Sequence, residues 1–419
     1  MFISKVSWKL FSERLFYFCV MDQVILFDDP ALRGGLLPFT FTRPVGEIRV
    51  GILKIREKWE KYLGLKGGYF TQEYLSEKFT FEHVPSLFIN GALCPEPDLL
   101  SAIGRLRPEQ ALWHENTLLA LPLMSPQTFS LEIAKEKQAV RFEGKITLIQ
   151  KTWHIFQNNA AEIVNDFELI TAGRTSEGIL DKATVTYNQG AIFVEKGANI
   201  RAAVLNAEDG PIYIGKNAKI EEGALIRGPF ALCEGSTVNM GAKMRGDTTV
   251  GPFSKIGGEV SNSVIFGYSN KGHDGFMGNS VIGEWCNFGA DSNISNLKNN
   301  YAPVKIWDYI RGGYTDTGLQ FCGLMMGDHS KCGINTMFNT GTVVGVGANI
   351  FGAGYPRNFI TSFAWGGPSG FSTYNFGKFQ ETASKVMERR GLVFDAQEEK
   401  ILQKVFKLTQ AYRIWEKDI

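Results

Sequence analysis

The stretch IGKNAKIEEGALIRGPFALCEGSTVNMGAKMRGDTTVGPFSKI, residues 214–256, decides the fold. Taken every sixth residue it reads Ile214, Ile220, Ile226, Leu232, Val238, Met244, Val250 and Ile256, an unbroken aliphatic row. Four residues after each come Ala218, Ala224, Phe230, Ser236, Ala242, Thr248, Ser254 and Val260, mostly small. A period of six matches neither the 3.6 of a helix nor the alternation of a flat strand. It fits a parallel β-helix, where each hexapeptide forms one face of a coil and its aliphatic residue points into the lumen. The small residue lies where the chain bends, and Gly228-Pro229 and Gly251-Pro252 exclude a long α-helix over the same stretch.

The pattern extends in both directions. Val194 and Ile200 share the spacing upstream. Downstream the register slips by two and resumes as Val264, Asn270, Phe276, Ile282, Phe288 and Ile294. After an insertion it returns as Met326, Cys332, Phe338, Val344 and Ile350, giving a solenoid over 176–375. Residues 21–150 read as a mixed α/β domain. Val24 to Phe27 is strand-like and runs into the turn Asp28-Asp29-Pro30, Ile52 to Leu63 has helical spacing, and Leu87-Phe88-Ile89 is a short apolar strand. Residues 151–175 form a linking helix, and 376–419 are helical, with Gly391 placed to end the first helix and Ile401, Val405 and Leu408 on one stripe of the second. Residues 1–20 read as an extension from an upstream start site, because Met21 is followed at once by a clean strand pattern.

Composition bounds the function. The 419 residues carry 44 Lys+Arg against 43 Asp+Glu, a balance that excludes a broad polyanion-binding surface and argues against nucleic acid as a partner. The 46 glycines follow no Gly-X-Y period, which excludes collagen and fits the corners of a solenoid. Six scattered cysteines (19, 94, 233, 286, 322, 332) form neither a C-x-x-C pair nor a disulfide framework, pointing to reduced thiols and a cytoplasmic protein. No apolar run reaches the ~20 residues that span a bilayer, so no membrane is expected.

Chemistry-bearing residues are few. Of five histidines only His273 and His329 fall within the hexapeptide zone, and both sit at corners. Two are too few for the three-histidine zinc site a β-helix can carry. Around His273 stand the words Val250-Gly251-Pro252-Phe253, Gly272-His273, Gly278, Ile282-Gly283, Asn287, Gly289-Ala290 and Asn296, without gaps from Glu259 to Asn296. This stretch resembles the acetyltransferase half of the GlmU-related family, in which a sugar nucleotidyltransferase is fused to a left-handed hexapeptide-repeat β-helix and the product is UDP-N-acetylglucosamine.

That resemblance implies acetyl-CoA as cosubstrate and a hexosamine 1-phosphate as acceptor. His273 would take the proton as the sugar's 2-amino group attacks the thioester, the work of a base whose pKa lies near the working pH. Asn287 and Phe276 occupy substrate positions; Ala290 and Asn296 occupy positions beside the acetyl-CoA arm. Arg357, after Tyr355-Pro356, is a partner for a CoA phosphate. The family completes its site between subunits of a trimer, so a homotrimer is implied. Two family cations on the sugar phosphate are missing here, where Gly257 and Ser261 stand instead. Lys255, Lys271, Lys298 and Lys305 are the candidates to replace them.

The opening of the chain departs further. After the first strand comes Phe27-Asp28-Asp29-Pro30-Ala31-Leu32-Arg33-Gly34-Gly35, without the Gly-x-Gly of a triphosphate loop, and Ala92 follows Asn90-Gly91 where the family has an acid. It resembles a divergent sugar-nucleotidyltransferase branch fused to the same β-helix. Arg33, Arg43 and Arg49 are then the nucleotide-binding candidates, with Asp28 and Asp29 as ligands for the Mg²⁺ that accompanies nucleotidyl transfer from UTP or another nucleoside triphosphate. The competing reading is a monofunctional nucleotidyltransferase whose β-helix only oligomerises or binds a regulator.

Overall fold

The computed structural model describes residues 21–416. The proposed start-site extension, 1–20, lies outside the described residues, as does Cys19. Two compact units are present. The first comprises residues up to Arg33, Pro44–Glu47 and Lys54–Gln150; the second comprises Gly34–Arg43, Ile48–Leu53 and everything from Lys151.

The first unit is built on a six-stranded sheet. Its strands are β1 (Gln23–Phe27), β2 (Lys66–Phe70), β3 (Ser86–Asn90), β4 (Gln110–His114), β5 (Thr117–Leu123) and β6 (Gln138–Arg141), in the order β2-β1-β3-β5-β4-β6. β1 is parallel to both neighbours and buried along its length, which is why it reads as a continuous apolar run rather than an alternating one. Phe27, Phe70, Phe88 and Phe129 fill one side, with Phe88 stacked on Phe129 at 4.1 Å. Helix α1 (Ile55–Leu63) buries Trp59, whose indole N–H donates to the Leu93 carbonyl.

The second unit is the β-helix expected from the six-residue period. Three parallel sheets run through it, and each strand pairs with the strand one coil later. Ile214 faces Leu232, which faces Val250, so these coils are eighteen residues long, three hexapeptides each. The lumen is the aliphatic row of the sequence, including Ile220, Val238, Ile256, Ile226, Met244 and Val260, all buried. Helix α2 (Thr152–Thr171) turns Asn159 and Asp166 toward the segment 48–53: the Gly51 amide donates to Asn159, and the Ile52 and Leu53 amides donate to Asp166. Two helices, Phe376–Glu388 and Ala396–Leu408, close the chain.

The reading of coil register needs one correction. Ile265, Lys271 and Met277 face the lumen, in pairing with Val250, Ile256 and Val260, where the sequence pattern had placed Val264, Asn270 and Phe276. The cause is a short coil. Val250 to Ile265 spans fifteen residues: the corner between Ile256 and Val260 holds three residues where the corner between Val238 and Met244 holds five, and the connection from Val260 to Ile265 holds four where that from Met244 to Val250 holds five.

One corner column is aromatic. Phe253, Tyr268, Trp285 and His329 each adopt positive φ, between 55° and 64°, a conformation costly for bulky residues. Their rings stack in succession, Tyr268 on Trp285 at 4.3 Å and Trp285 on His329 at 6.1 Å, which offsets part of that cost. The insertion seen in the sequence is a loop carrying a hairpin, Lys305–Asp308 with Gly313–Asp316.

Candidate functional site

His273 stands on the corner Gly272-His273-Asp274-Gly275, and its side chain is exposed. The corner before it on the solenoid is the trimmed one, Gly257-Gly258-Glu259, so the His273 corner stands proud of its neighbour. The close approach requires glycine: a Cβ on Gly257 would lie 2.4 Å from the Gly272 carbonyl oxygen. Gly275, at φ +114°, would bring a Cβ within 2.1 Å of the Ser292 carbonyl oxygen. The backbone of the corner is fastened at three carbonyls. Asn239 donates to Gly272 at 2.8 Å, and the Lys271 ammonium donates to His273 at 3.0 Å and Gly275 at 2.8 Å.

On one flank lies an outward row of the ten-stranded sheet. Lys255 pairs with Asn270, Asn270 with Asn287, and Asn287 with Lys331. The Asn270 amide donates to Asn287 at 3.0 Å. The row is therefore two amides bounded by two lysines, with Lys255 exposed and Lys331 donating to the His329 carbonyl. On the other flank Phe276 pairs with Glu259, which takes an ion pair from Arg245 at 3.0 Å, and the Phe276 amide donates to Asn293. Ala290 occupies the following corner, half-buried; Asn296 donates to Asn279 at 2.8 Å. Arg357 is exposed and lines a cleft of about 740 Å³ with Trp307, Tyr314, Phe359 and Tyr412.

The structure thus brings His273, Asn287, Phe276, Lys255 and Ala290 onto neighbouring strands and corners. Lys271 is not among the outward groups: it points into the lumen, 4% exposed, and burial lowers its pKa to about 8 against the pull of Asp274, Cys332 and Asp291. A substrate phosphate on the outer face has no access to it, which corrects its assignment as a substrate residue. Lys298 lies in the insertion and donates to the Pro303 carbonyl. The sequence reading missed Asn239, Asn270 and Lys331. The seventeen-residue spacing of Asn270 and Asn287, one coil apart, was the available signal.

The N-terminal candidates are divided between the two units. Arg33 remains in the first unit, where its guanidinium pairs with Asp28 at 3.5 Å and donates to Tyr74 at 2.8 Å. Arg43 belongs to the second unit and is buried against Asp328 and Glu284, with Phe266 beneath it at 5.2 Å. Arg49, also in the second unit, donates to the Phe266 and Ile52 carbonyls. Both guanidinium groups are spent inside the second unit, so their nucleotide-binding assignment is corrected to a structural one. Asp28 is buried and accepts from the Val45 amide and the Thr71 hydroxyl; burial raises its pKa despite these bonds. Its oxygens are committed, and among the described residues no group of three or more His, Cys, Asp or Glu is arranged to hold a metal ion. Asp29 accepts from the Ala31 amide and stays half-buried at the end of β1. No described helix is long and apolar enough to cross a membrane.

Residues 24–175 match the family model for sugar nucleotidyl transferases. A bifunctional sugar-1-phosphate nucleotidylyltransferase/acetyltransferase of Sulfurisphaera tokodaii is 29% identical over 216 residues, 51% of this chain and 47% of that protein. The bifunctional protein GlmU of Methanocaldococcus jannaschii is 36% identical over 87 residues, 21% of each chain. A putative uncharacterized acetyltransferase of Escherichia coli K12, YaiX, is 27% identical over 154 residues, 36% of this chain and 66% of that one. The matched region spans about half the length of the first of these relatives, and less of the second. Residues 24–175 are thus similar to sugar nucleotidyl transferases, and segments of the chain are similar to a bifunctional sugar-1-phosphate nucleotidylyltransferase/acetyltransferase and to GlmU proteins.

Proposed function

We propose that the β-helix transfers the acetyl group of acetyl-CoA to the amino group of a hexosamine 1-phosphate, glucosamine 1-phosphate in the first instance, and that the N-terminal unit transfers a uridylyl group to give UDP-N-acetylglucosamine. The observation that carries this reading is the His273 corner: an exposed imidazole on a fixed backbone, beside a row of amides bounded by cations. The sugar's amine attacks the thioester carbonyl, forming the C–N bond, and the C–S bond breaks. His273 takes the proton lost by nitrogen and returns it to the departing sulfur. Asn287 orients the sugar hydroxyls, and Lys255 and Lys331 offer the phosphate the charge that Gly257 and Ser261 cannot. Ala290 and Asn296 flank the thioester arm, and Arg357 meets a phosphate of CoA.

A second copy of the chain completes this site in the reading, as a homotrimer. Mg²⁺ enters with the nucleoside triphosphate, whose phosphates supply most of its oxygens, with Asp29 the carboxylate left to meet it. The reaction is read by product analysis with glucosamine 1-phosphate, acetyl-CoA and UTP. Formation of both N-acetylglucosamine 1-phosphate and the UDP-sugar supports the proposal. Uridylyl transfer without acetylation would leave the β-helix as an oligomerising or ligand-sensing module.

A further inference from the structure

A lysine inside the lumen of a β-helix requires an explanation. Lys271 occupies an interior position between Ile256 on the coil before and Phe288 on the coil after, in a column that is otherwise apolar. Burying an ammonium in such a column is costly unless every N–H is satisfied. It is: Nζ donates to the carbonyl oxygens of Gly257 at 3.2 Å, His273 at 3.0 Å and Gly275 at 2.8 Å. These three acceptors are not scattered. Gly257 belongs to the trimmed corner, and His273 and Gly275 belong to the corner that stands proud of it. The ammonium therefore ties the two corners together at the point where the backbone runs closest, and one of its acceptors is the carbonyl of the histidine itself.

From this geometry we infer that Lys271 is the positioning residue of the acetyl-transfer base, holding the Gly272–Gly275 corner so that the His273 imidazole is presented at a fixed place and angle. The inference rests on the acetyl-transfer reading of His273. Three carbonyls consume three N–H groups, so the clamp is complete only while Lys271 is charged. Losing a proton replaces one donor by a lone pair that faces carbonyl oxygens, and the corner loosens. The charged or titratable groups that act on it are Asp274 on the same corner, Asp291 on the next and the Cys332 thiol in the lumen. The carboxylates favour the ammonium and burial opposes it.

The test uses the full chain and three variants: Lys271→Met, which keeps the length of the side chain without its donors, Lys271→Arg, which keeps charge and donors, and His273→Ala. Circular dichroism and thermal melting establish the fold. Hydrogen–deuterium exchange of the peptide covering 270–277 reads the clamp without reference to activity. For Lys271→Met the expectation is faster exchange confined to that peptide, and a kcat for acetylation lower by about 100-fold with KM for acetyl-CoA within about twofold. Lys271→Arg restores part of both. In the unmodified protein, kcat falls as pH rises through about 8, and protection of 270–277, corrected for the intrinsic rate, falls with it relative to the 221–225 corner. Wild-type kcat and wild-type exchange in a folded Lys271→Met overturn the inference. If that variant does not fold, the pH dependence of exchange in the unmodified protein decides, and its absence is equally fatal. An active His273→Ala would instead sink the acetyl-transfer reading, whatever Lys271 does.

Discussion

Arg43 donates to the Asp328 carboxylate across 285 residues of sequence, and both side chains are almost fully buried. Asp328 also accepts from the Thr42 hydroxyl and from the Glu284 amide, while a second Arg43 nitrogen lies 3.2 Å from the Glu284 carboxylate. Every strong group in this cluster has a partner within the β-helix unit. A buried arginine of this kind answers to folding rather than to a ligand.

Arg43→Met should therefore destabilise the second unit by about 3–5 kcal/mol, because it strands the Asp328 carboxylate out of water. UTP affinity should not change. Denaturant melts and titration calorimetry on the same variant separate the two effects. Removing both partners, as Arg43→Met with Asp328→Leu, should cost less than the sum of the single changes.

His273→Ala should lower kcat for acetylation by about 10²–10⁴-fold while leaving uridylyl transfer to pre-acetylated sugar phosphate intact. Assaying each half-reaction with its own substrate checks this. Equal loss in both would mean that the substitution has damaged the fold.

Lys255→Met should raise KM for the sugar phosphate by about tenfold and change kcat by less than about twofold, the signature of a contact made equally in ground and transition states. Lys255→Arg should recover most of the affinity. The non-phosphorylated amino sugar supplies the control, since its KM should be indifferent to the substitution.

Acid should act first on the N-terminal unit through Glu47. Burial works to raise its pKa, yet the charges of Lys54, at 2.7 Å, and Arg56, at 3.0 Å, outweigh it and hold the carboxyl at about 2, against an ordinary 4.5. The folded state thus binds this proton more weakly than the unfolded chain. The resulting stability, on the order of 3 kcal/mol, is fully present above pH 4.5 and lost as pH falls toward 2. An acid titration followed by tryptophan fluorescence, Trp59 being buried in this unit, should show a shallower acid limb in Glu47→Gln.

How much of this was legible in the sequence varies along the chain. The hexapeptide row from Ile214 to Ile256 announced the solenoid because each coil there has the same length, and the lumen admits only apolar side chains at those positions. The register failed at Val264 for a local reason. Val264, Ile265 and Phe266 are all apolar, so no alternation marks which one faces in, and the two residues missing from the corner before them leave no trace in composition. Lys271 defied the pattern because its charge is satisfied by backbone carbonyls, which a sequence does not display. His273 was found by resemblance, since nothing in the spacing distinguishes it from other corner residues. Arg43 and Arg49 were misassigned for the opposite reason: they follow the first strand closely, where a phosphate-binding loop belongs, but their partners at 266, 284 and 328 are hundreds of residues away.

The shortened coil has a further consequence. Strands stack at ~4.8 Å whatever the length of the loops between them, so the height of a residue along the solenoid is counted in coils, not residues. The chain can shed two residues at Gly257-Gly258, or gain the whole 297–322 insertion after Ile294, while the column from Ile256 through Phe288 to Cys332 continues unbroken. Insertions and deletions are thus absorbed at the corners, and protein engineers gain a scaffold with adjustable edges. A loop grafted into a corner remote from His273 would alter the outline of the molecule and leave the spacing between His273, Asn287 and the coils beyond them as it stands.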